Sequence, residues 1–141
     1  MTGSDFAARQ TMARAGLRAA PDDTWSDMLS RVLSEKVEPK LGQGRITLLD
    51  RYPSAEAALA RKVLGDARVA ERFEVYACGV ELANGFGELT DPEEQRRRFQ
   101  AEMAEKVWVY GESYPLDEDF LAALKIMPPA AGIAMGFDRV V

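Results

Sequence analysis

Apolar residues in the first third of the chain recur at helical spacing. The positions i, i+3, i+4, i+7 and i+8, which form one face of a helix, are occupied by Trp25, Met28, Leu29, Val32 and Leu33. Thr24 and Asp27 resemble a capping box, so this helix is predicted to begin just after Thr24 and to stop by Pro39. Residues 1–20 are rich in alanine and arginine and predict an earlier helix that ends near Gly16 or by Pro21.

Alternation of side-chain type predicts a β-hairpin over residues 69–86, with Cys78 and Gly79 as its two-residue loop. In this register one face of the hairpin carries Glu74, Tyr76, Glu81 and Ala83. The other face is mostly apolar and suited to packing, and it carries Phe73, Val75, Leu82 and Asn84. Glu74 and Glu81 are therefore predicted to be diagonal neighbours on adjacent strands.

Two further helices are predicted in the second half of the chain. Asp91 followed by Pro92 is typical of a helix start, and the buried side of that helix is predicted to contain Phe99, Met103 and Val107. Asp117 begins a short helix that is predicted to carry Phe120, Leu121 and Leu124.

Short strands complete the predicted fold. Residues 46–49 predict one strand, residues 53–62 predict a helix or an irregular helical turn, and the apolar last segment predicts a final strand. Because the hairpin is antiparallel and the helices do not alternate regularly with strands, the predicted class is α+β rather than a doubly wound parallel sheet.

Composition narrows the chemistry that the chain can perform. The 141 residues are 47% hydrophobic and carry a net charge of −5, which fits one soluble domain. The chain contains no histidine, so a Ser-His-Asp site and a histidine-ligated zinc are excluded within it. Its single cysteine, Cys78, suits a reducing cytoplasm. No apolar run approaches the roughly 20 residues of a membrane-spanning helix, so a cytoplasmic protein without membrane contact is expected.

The pair Glu74 and Glu81 is open to three interpretations. Two carboxylates on one face suit Mg²⁺ with phosphate oxygens as the remaining ligands, or a glycosidase pair, or the solvent-facing side of a hairpin. The segment that follows favours a ligand site, because Asn84 and Glu88 flank glycines that allow close backbone approach.

Two motifs resemble a known family. RVAERFEVYACGVELANGFGELT at residues 68–90, with Asp91 and residues 95–99 after it, resembles the late part of a class II lysyl-tRNA synthetase catalytic domain. GIAMGFDR at residues 132–139 resembles motif 3 of class II aminoacyl-tRNA synthetases. Within that family the chain is most similar to the elongation factor P lysine ligases, truncated paralogues that attach β-lysine to a lysine of elongation factor P. Residues 24–61 carry this closer likeness, together with Ala134 where true lysyl-tRNA synthetases usually have glycine.

The resemblance implies ATP and Mg²⁺ as cofactors. Glu74 and Glu81 would bind ATP through Mg²⁺, which agrees with the predicted hairpin geometry. Arg139 would hold the ATP phosphates and stabilise charge on the departing pyrophosphate, which makes it the expected catalytic residue.

The resemblance also implies an amino-acid site. Asn84 would hold the substrate carboxylate, and Glu88 would pair with the side-chain ammonium of the substrate. Gly85 and Gly132 would give the ligand room, and the methyl group of Ala134 would reshape the pocket. Lys125-Ile126-Met127-Pro128 departs from the family, because it lacks a glycine often found there.

The resemblance implies a class II synthetase-like antiparallel sheet with flanking helices, present as a fragment. Residues 1–141 would be the C-terminal part of a catalytic domain, with motif 3 near 132–141 and with motifs 1 and 2 absent. The expected partners are ATP, lysine or β-lysine, elongation factor P as the acceptor, and a second copy in the complete protein. The isolated chain is expected to be inactive. Two alternatives stay open: a fragment of an authentic lysyl-tRNA synthetase that charges tRNA, and a non-catalytic binding module.

Overall fold

A computed structural model describes residues 3–57 and 59–139 of the chain. The helices are α1 (Gly3–Arg14), α2 (Trp25–Val32), α3 (Pro92–Tyr110) and α4 (Glu118–Leu124). The strands are β1 (Thr47–Asp50), β2 (Lys62–Val63), β3 (Asp66–Ala70), β4 (Arg72–Ala77), β5 (Val80–Gly87) and β6 (Ala131–Met135). Residues 1 and 2 of the first predicted helix and residues 140 and 141 of the predicted motif 3 lie outside the described residues.

The mixed helix and strand content confirms the predicted α+β class. The strands form a four-stranded sheet in the order β1-β4-β5-β6 and a two-stranded sheet of β2 and β3. β1 runs antiparallel to β4, with Thr47 opposite Tyr76 and Asp50 opposite Phe73. Within the described part of the chain, no helix is both long and apolar enough to cross a membrane.

Local signals placed the first two helices correctly. The Thr24 hydroxyl accepts from the Asp27 backbone N–H at 3.2 Å, and the Asp27 carboxylate accepts from the Thr24 N–H at 2.8 Å, which completes the predicted capping box. After α2 the chain continues through a π-helical turn (Leu33–Val37) and a 3₁₀ turn (Glu38–Lys40), so the helical path ends around Pro39 as predicted. Within the predicted segment 53–62 the structure has a 3₁₀ turn, Ser54–Glu56, which is the irregular form of the prediction. Residue 58 of this segment lies outside the described residues, and Lys62 begins β2.

The predicted hairpin loop is confirmed at Cys78 and Gly79. Their φ angles are 52° and 74°, as a two-residue type I′ turn requires. The loop is bound to an earlier turn, because Cys78 N–H donates to Gly42 O and Gly79 N–H donates to Leu41 O, both at 2.8 Å. Gly42 lies so close to β4 that a Cβ there would stand 2.4 Å from Ala77 Cα. Because residue 42 is a glycine, the turn that contains it can pack against the hairpin loop at Cys78 and Gly79.

The chain divides into two compact units, which are described separately. Unit 1 contains residues 3–50, 73–84 and 134–139. Its apolar core lies between α1 and α2, where Met12, Leu17 and Met28 are buried and Val32 packs against them. Met28 and Val32 belong to the apolar stripe that predicted α2.

Unit 2 contains residues 51–57, 59–72 and 85–133. Ala57, Ala60 and Ala70 form a small buried cluster against which Phe86 packs. α3 and α4 are joined by an ion pair between Arg96 and Glu118.

One prediction about the helices of unit 2 is wrong. Val107 was expected on the buried side of α3, but it is 44% exposed. Most residues in the last two turns of α3 are exposed, so apolar spacing alone did not identify a buried residue. Phe120 of α4 contacts Phe99 of α3, with ring centroids 5.9 Å apart.

The start of α3 depends on one side chain. The Asp91 carboxylate accepts from the N–H groups of Glu93 and Glu94 at 2.9 and 3.2 Å. Asp91→Ala is therefore expected to lower the free energy of unfolding by about 1 kcal/mol, measured by urea denaturation of the full-length gene product. Asp22→Ala, which removes an exposed loop carboxylate, is the matched control. Equal destabilisation by both changes would contradict a specific cap.

Candidate functional site

The first predicted carboxylate, Glu74, is held inside unit 1. It lies on β4, is only 7% exposed and accepts a hydrogen bond of 2.6 Å from the Tyr76 hydroxyl. Glu74 and Tyr76 are two residues apart on a strand, so they share a face, as the hairpin register predicted.

This polar face is more buried than the face that was expected to pack. Tyr76 and Ala83 are buried together with Glu74, whereas Phe73 and Val75 of the opposite face are only half-buried. The sequence analysis described the apolar face as the one suited to packing, whereas the face with Glu74 and Tyr76 is the more buried of the two. A carboxylate retained on a buried face is the arrangement expected of a binding site rather than of a solvated hairpin surface.

The second predicted carboxylate, Glu81, contacts two other predicted site residues. Arg139 Nη1 donates to the Glu81 backbone oxygen at 2.8 Å and lies 3.6 Å from Glu81 Oε2. The Asn84 amide donates to Glu81 Oε1 at 3.2 Å. We call Glu81, Asn84 and Arg139 the triad. Asn84 was predicted on the face opposite Glu81, but its amide group nevertheless contacts the Glu81 carboxylate.

A third carboxylate, Glu38, belongs to the same electrostatic environment. Burial raises the pKa of the Glu38 carboxyl above its usual range, and the negative charges of Glu74 and Glu81 raise it further. In the sequence analysis Glu38 counted only as part of residues 24–61, which carry the closer family likeness, so its place near Glu74 and Glu81 was missed. Glu38 thus adds a third carboxylate to the environment of Glu74 and Glu81.

The residues present fit a magnesium ion that is shared with a phosphate ligand. Within residues 3–57 and 59–139, no group of three or more acidic, histidine or cysteine side chains is arranged to hold a metal by itself. Mg²⁺ commonly takes only one or two protein carboxylates and completes its shell with phosphate oxygens and water. Glu74 and Glu81 supply the hard oxygen donors that this arrangement needs.

Arg139 is positioned by the turn that follows β6. Gly136 N–H donates to Leu82 O at 2.9 Å, and Arg139 N–H donates to Gly136 O at 3.0 Å. A Cβ on Gly136 would lie 3.2 Å from Arg139 Cδ, so the missing side chain lets the arginine stem pass close to the backbone. The Arg139 side chain is 54% exposed, which leaves its guanidinium accessible to a ligand. Ala134 lies on β6 and is exposed.

In unit 2 the predicted ammonium-binding residue lies directly over a predicted glycine. A Cβ on Gly132 would stand 2.6 Å from Glu88 Oε1, so only a glycine leaves the carboxylate where it is. The backbone of this segment is held from both sides, because Glu88 N–H donates to Ala130 O at 3.0 Å and Leu89 N–H donates to Leu59 O at 2.9 Å. Gly85, the other predicted glycine, is buried in β5.

The structure thus groups the predicted residues in two sets. Unit 1 contains Glu74, Glu81, Asn84, Ala134 and Arg139. Unit 2 contains Gly85, Glu88 and Gly132. Contacts in unit 1 link Arg139 and Asn84 to Glu81, and the close approach of Glu88 to Gly132 links the predicted residues of unit 2.

Comparison with protein families gives one match that covers most of the chain. The family model described as tRNA synthetases class II (D, K and N) matches residues 12–141. The matched range includes every predicted site residue.

Three curated proteins with similar sequences are each named elongation factor P (R)-β-lysine ligase. The protein of Sodalis glossinidius is 42% identical over 127 residues, which are 89% of this chain and 39% of that protein. The protein of Vibrio cholerae is 40% identical over 136 residues, 94% of this chain and 42% of that protein. The protein of Haemophilus influenzae is 46% identical over 114 residues, 80% of this chain and 35% of that protein. The chain therefore spans about two fifths of the length of these relatives.

Proposed function

The chain belongs to the class II tRNA synthetase family (D, K and N), and we propose that it supplies part of the catalytic domain of an ATP-dependent lysine or β-lysine ligase. In the proposed reaction the amino-acid carboxylate attacks the α-phosphorus of ATP, and the bond to pyrophosphate breaks. The resulting acyl-adenylate is then attacked by the amine of a protein lysine, which forms an amide bond, loses a proton and releases AMP.

The observation that carries the proposal is the triad of unit 1. A guanidinium that is more than half exposed lies beside a carboxylate and an amide, and a second carboxylate stands on the buried face of the same hairpin. Arginine presents several N–H donors to phosphate oxygens, so Arg139 is assigned to hold the phosphates and stabilise the departing pyrophosphate. Glu74 and Glu81 are assigned to the magnesium ion, which when bound neutralises phosphate charge and orients the triphosphate.

Roles in amino-acid recognition are assigned to Asn84 and Ala134 in unit 1 and, separately, to Gly85, Glu88 and Gly132 in unit 2. The Asn84 amide is a donor suited to the substrate carboxylate. The Glu88 carboxylate is a charged acceptor for the substrate ammonium, and a charge-assisted contact of this kind favours a lysine-like substrate over a neutral amino acid. Gly132 supports this assignment, because it leaves the Glu88 carboxylate in place.

The acceptor is proposed from the relatives. Proteins about 40% identical to this chain are named as ligases that act on elongation factor P, so a lysine of that factor is the proposed acceptor. The alternative acceptor is tRNA, which the broader family uses. A cytoplasmic location and a homodimer of the complete protein stay predictions.

The proposal is tested on the full-length gene product by ATP–pyrophosphate exchange. Exchange is expected with (R)-β-lysine in preference to α-lysine, followed by transfer to elongation factor P and not to tRNA. Charging of tRNA with α-lysine would show that the acceptor is tRNA, as in an authentic lysyl-tRNA synthetase, and not elongation factor P. Binding of ATP or lysine without any exchange would indicate a non-catalytic module and would overturn the proposal. The isolated 141-residue chain is expected to show no turnover. ATP–pyrophosphate exchange by this chain at the rate of the full-length gene product would contradict the expectation that motifs 1 and 2 are needed for activity.

A further inference from the structure

Three distant residues of unit 2 are tied together by their backbones. Arg61 N–H donates to Gly87 O at 2.8 Å, Gly87 N–H donates to Glu71 O at 2.7 Å, and Glu71 N–H donates to Arg61 O at 2.8 Å. We call this closed set of three hydrogen bonds the 61–71–87 ring. The ring joins the end of β5 to the two segments that lead into and out of the small β2–β3 sheet.

The side chains of the ring add an ion pair over the glycine. Arg61 Nε donates to Glu71 Oε2 at 2.7 Å, and Arg61 Nη2 lies 2.7 Å from the same oxygen. The pairing raises the pKa of Arg61 above its ordinary value. A Cβ on Gly87 would stand 2.2 Å from Glu71 Oε2 and 3.1 Å from Arg61 Nε. The ion pair thus occupies the space that a side chain at residue 87 would fill.

Stability alone does not account for this arrangement. The two side chains are 42% and 34% exposed, and ion pairs at that exposure contribute little to the free energy of unfolding. Glycine inside a strand lowers stability relative to residues with a side chain. The ion pair over Gly87 is therefore expected to matter more for the local geometry than for stability.

The geometry that the ring controls is that of Glu88. Glu88 follows Gly87 directly, and its backbone forms an isolated antiparallel bridge with Ala60, the residue before Arg61. The chain on both sides of Glu88 is thus bound to residues 59–61. A shift of the ring would move the Glu88 carboxylate, whose place over Gly132 is tight.

We propose that Arg61 and Glu71 are positioning residues that hold Glu88 in place for the ammonium group of a lysine-like substrate. The inference rests on the proposed function of Glu88. Neither side chain touches substrate in this assignment. Both act through the backbone of residues 87 and 88, so their loss is expected to change recognition of the amino acid and not of ATP.

The test compares Michaelis constants in ATP–pyrophosphate exchange by the full-length gene product. Glu71→Gln, which keeps shape and removes charge, is expected to raise KM for the amino acid by about tenfold, with KM for ATP within about twofold of the parent. Gly87→Ala is expected to give the same split, because its methyl group displaces the Glu71 carboxylate. The double variant Arg61→Glu with Glu71→Arg, which exchanges the two charges, is expected to lower KM for the amino acid part of the way back to the parent value. Arg61→Lys, which keeps the positive charge, is expected to leave this KM close to that of the parent.

The matched control is a second exposed ion pair of unit 2. Arg68 Nε donates to Asp66 Oδ1 at 2.8 Å on β3, and Asp66→Asn removes that pair without touching the ring. It is expected to leave both Michaelis constants unchanged. If Glu71→Gln and Gly87→Ala lower Tm without separating the two Michaelis constants, or raise both together, the ring is merely structural and the inference fails. Absence of exchange in the unaltered protein would overturn the proposed function itself, and the inference with it.

Discussion

Changing Arg139 to alanine in the full-length gene product is expected to lower kcat/KM for ATP–pyrophosphate exchange by about 10³-fold. Charge accumulates on the departing pyrophosphate as its bond to the α-phosphorus breaks, and a guanidinium placed there stabilises that charge. The Arg139 side chain is more than half exposed, and its guanidinium donates a hydrogen bond to the Glu81 backbone oxygen and forms a longer ion pair with the Glu81 carboxylate. Its removal is therefore expected to leave Tm almost unchanged while activity falls.

Two further variants define the role of Arg139. Arg139→Lys keeps the charge but loses the forked donors, so activity is expected between that of the parent and that of the alanine variant. Arg45→Ala removes an exposed arginine outside the triad and is expected to have no effect. Retention of more than about a tenth of the exchange activity by Arg139→Ala would sink its assignment as the catalytic arginine.

Changing Glu88 to glutamine is expected to raise KM for (R)-β-lysine by about 10²-fold while KM for ATP stays constant. The substitution keeps the shape of the side chain but removes the charge that pairs with the ammonium, and loss of one partner of a close ion pair costs about 2–5 kcal/mol. Initial rates of ATP–pyrophosphate exchange at varied amino-acid concentrations measure the effect.

Gly132→Ala gives an independent approach to the same contact. Its added Cβ would meet Glu88 Oε1 at 2.6 Å, so the carboxylate must turn away, and KM for the amino acid is expected to rise in the same direction but less. Glu105→Gln, an exposed change on α3, is the matched control. A rise of KM for ATP that matches the rise for the amino acid would exclude a dedicated ammonium-binding role for Glu88.

The hairpin shows how far sequence alone reaches toward the candidate site. Its strands, its loop at Cys78 and Gly79 and the shared face of Glu74 and Tyr76 were all predicted, because side-chain alternation and turn chemistry act within a few residues. The same reasoning did not predict that the face with Glu74 and Tyr76 would be the more buried of the two. Which side of a sheet is covered depends on segments far away in sequence.

Helix boundaries were also predictable, because they depend on near neighbours in the sequence. Asp91 and Asp117 cap their helices as predicted, because a cap is satisfied by N–H groups two or three residues away. Burial along α3 was not predicted correctly, because Val107 continues the apolar spacing of the helix and yet is 44% exposed. Spacing identifies a face of a helix and does not identify its neighbour.

The sequence by itself determined the family, the two local motifs, the hairpin, the caps and the residue types available for chemistry. Each of these depends on interactions between near neighbours or on the chemical identity of side chains. Only the tertiary structure decided that Arg139 contacts Glu81, 58 positions away in the sequence. It also decided that Glu38 lies in the electric field of Glu74 and Glu81. The closed set of hydrogen bonds among residues 61, 71 and 87 is likewise a product of tertiary structure. These contacts join residues whose distance in space is set by packing of the whole unit, which no local periodicity encodes.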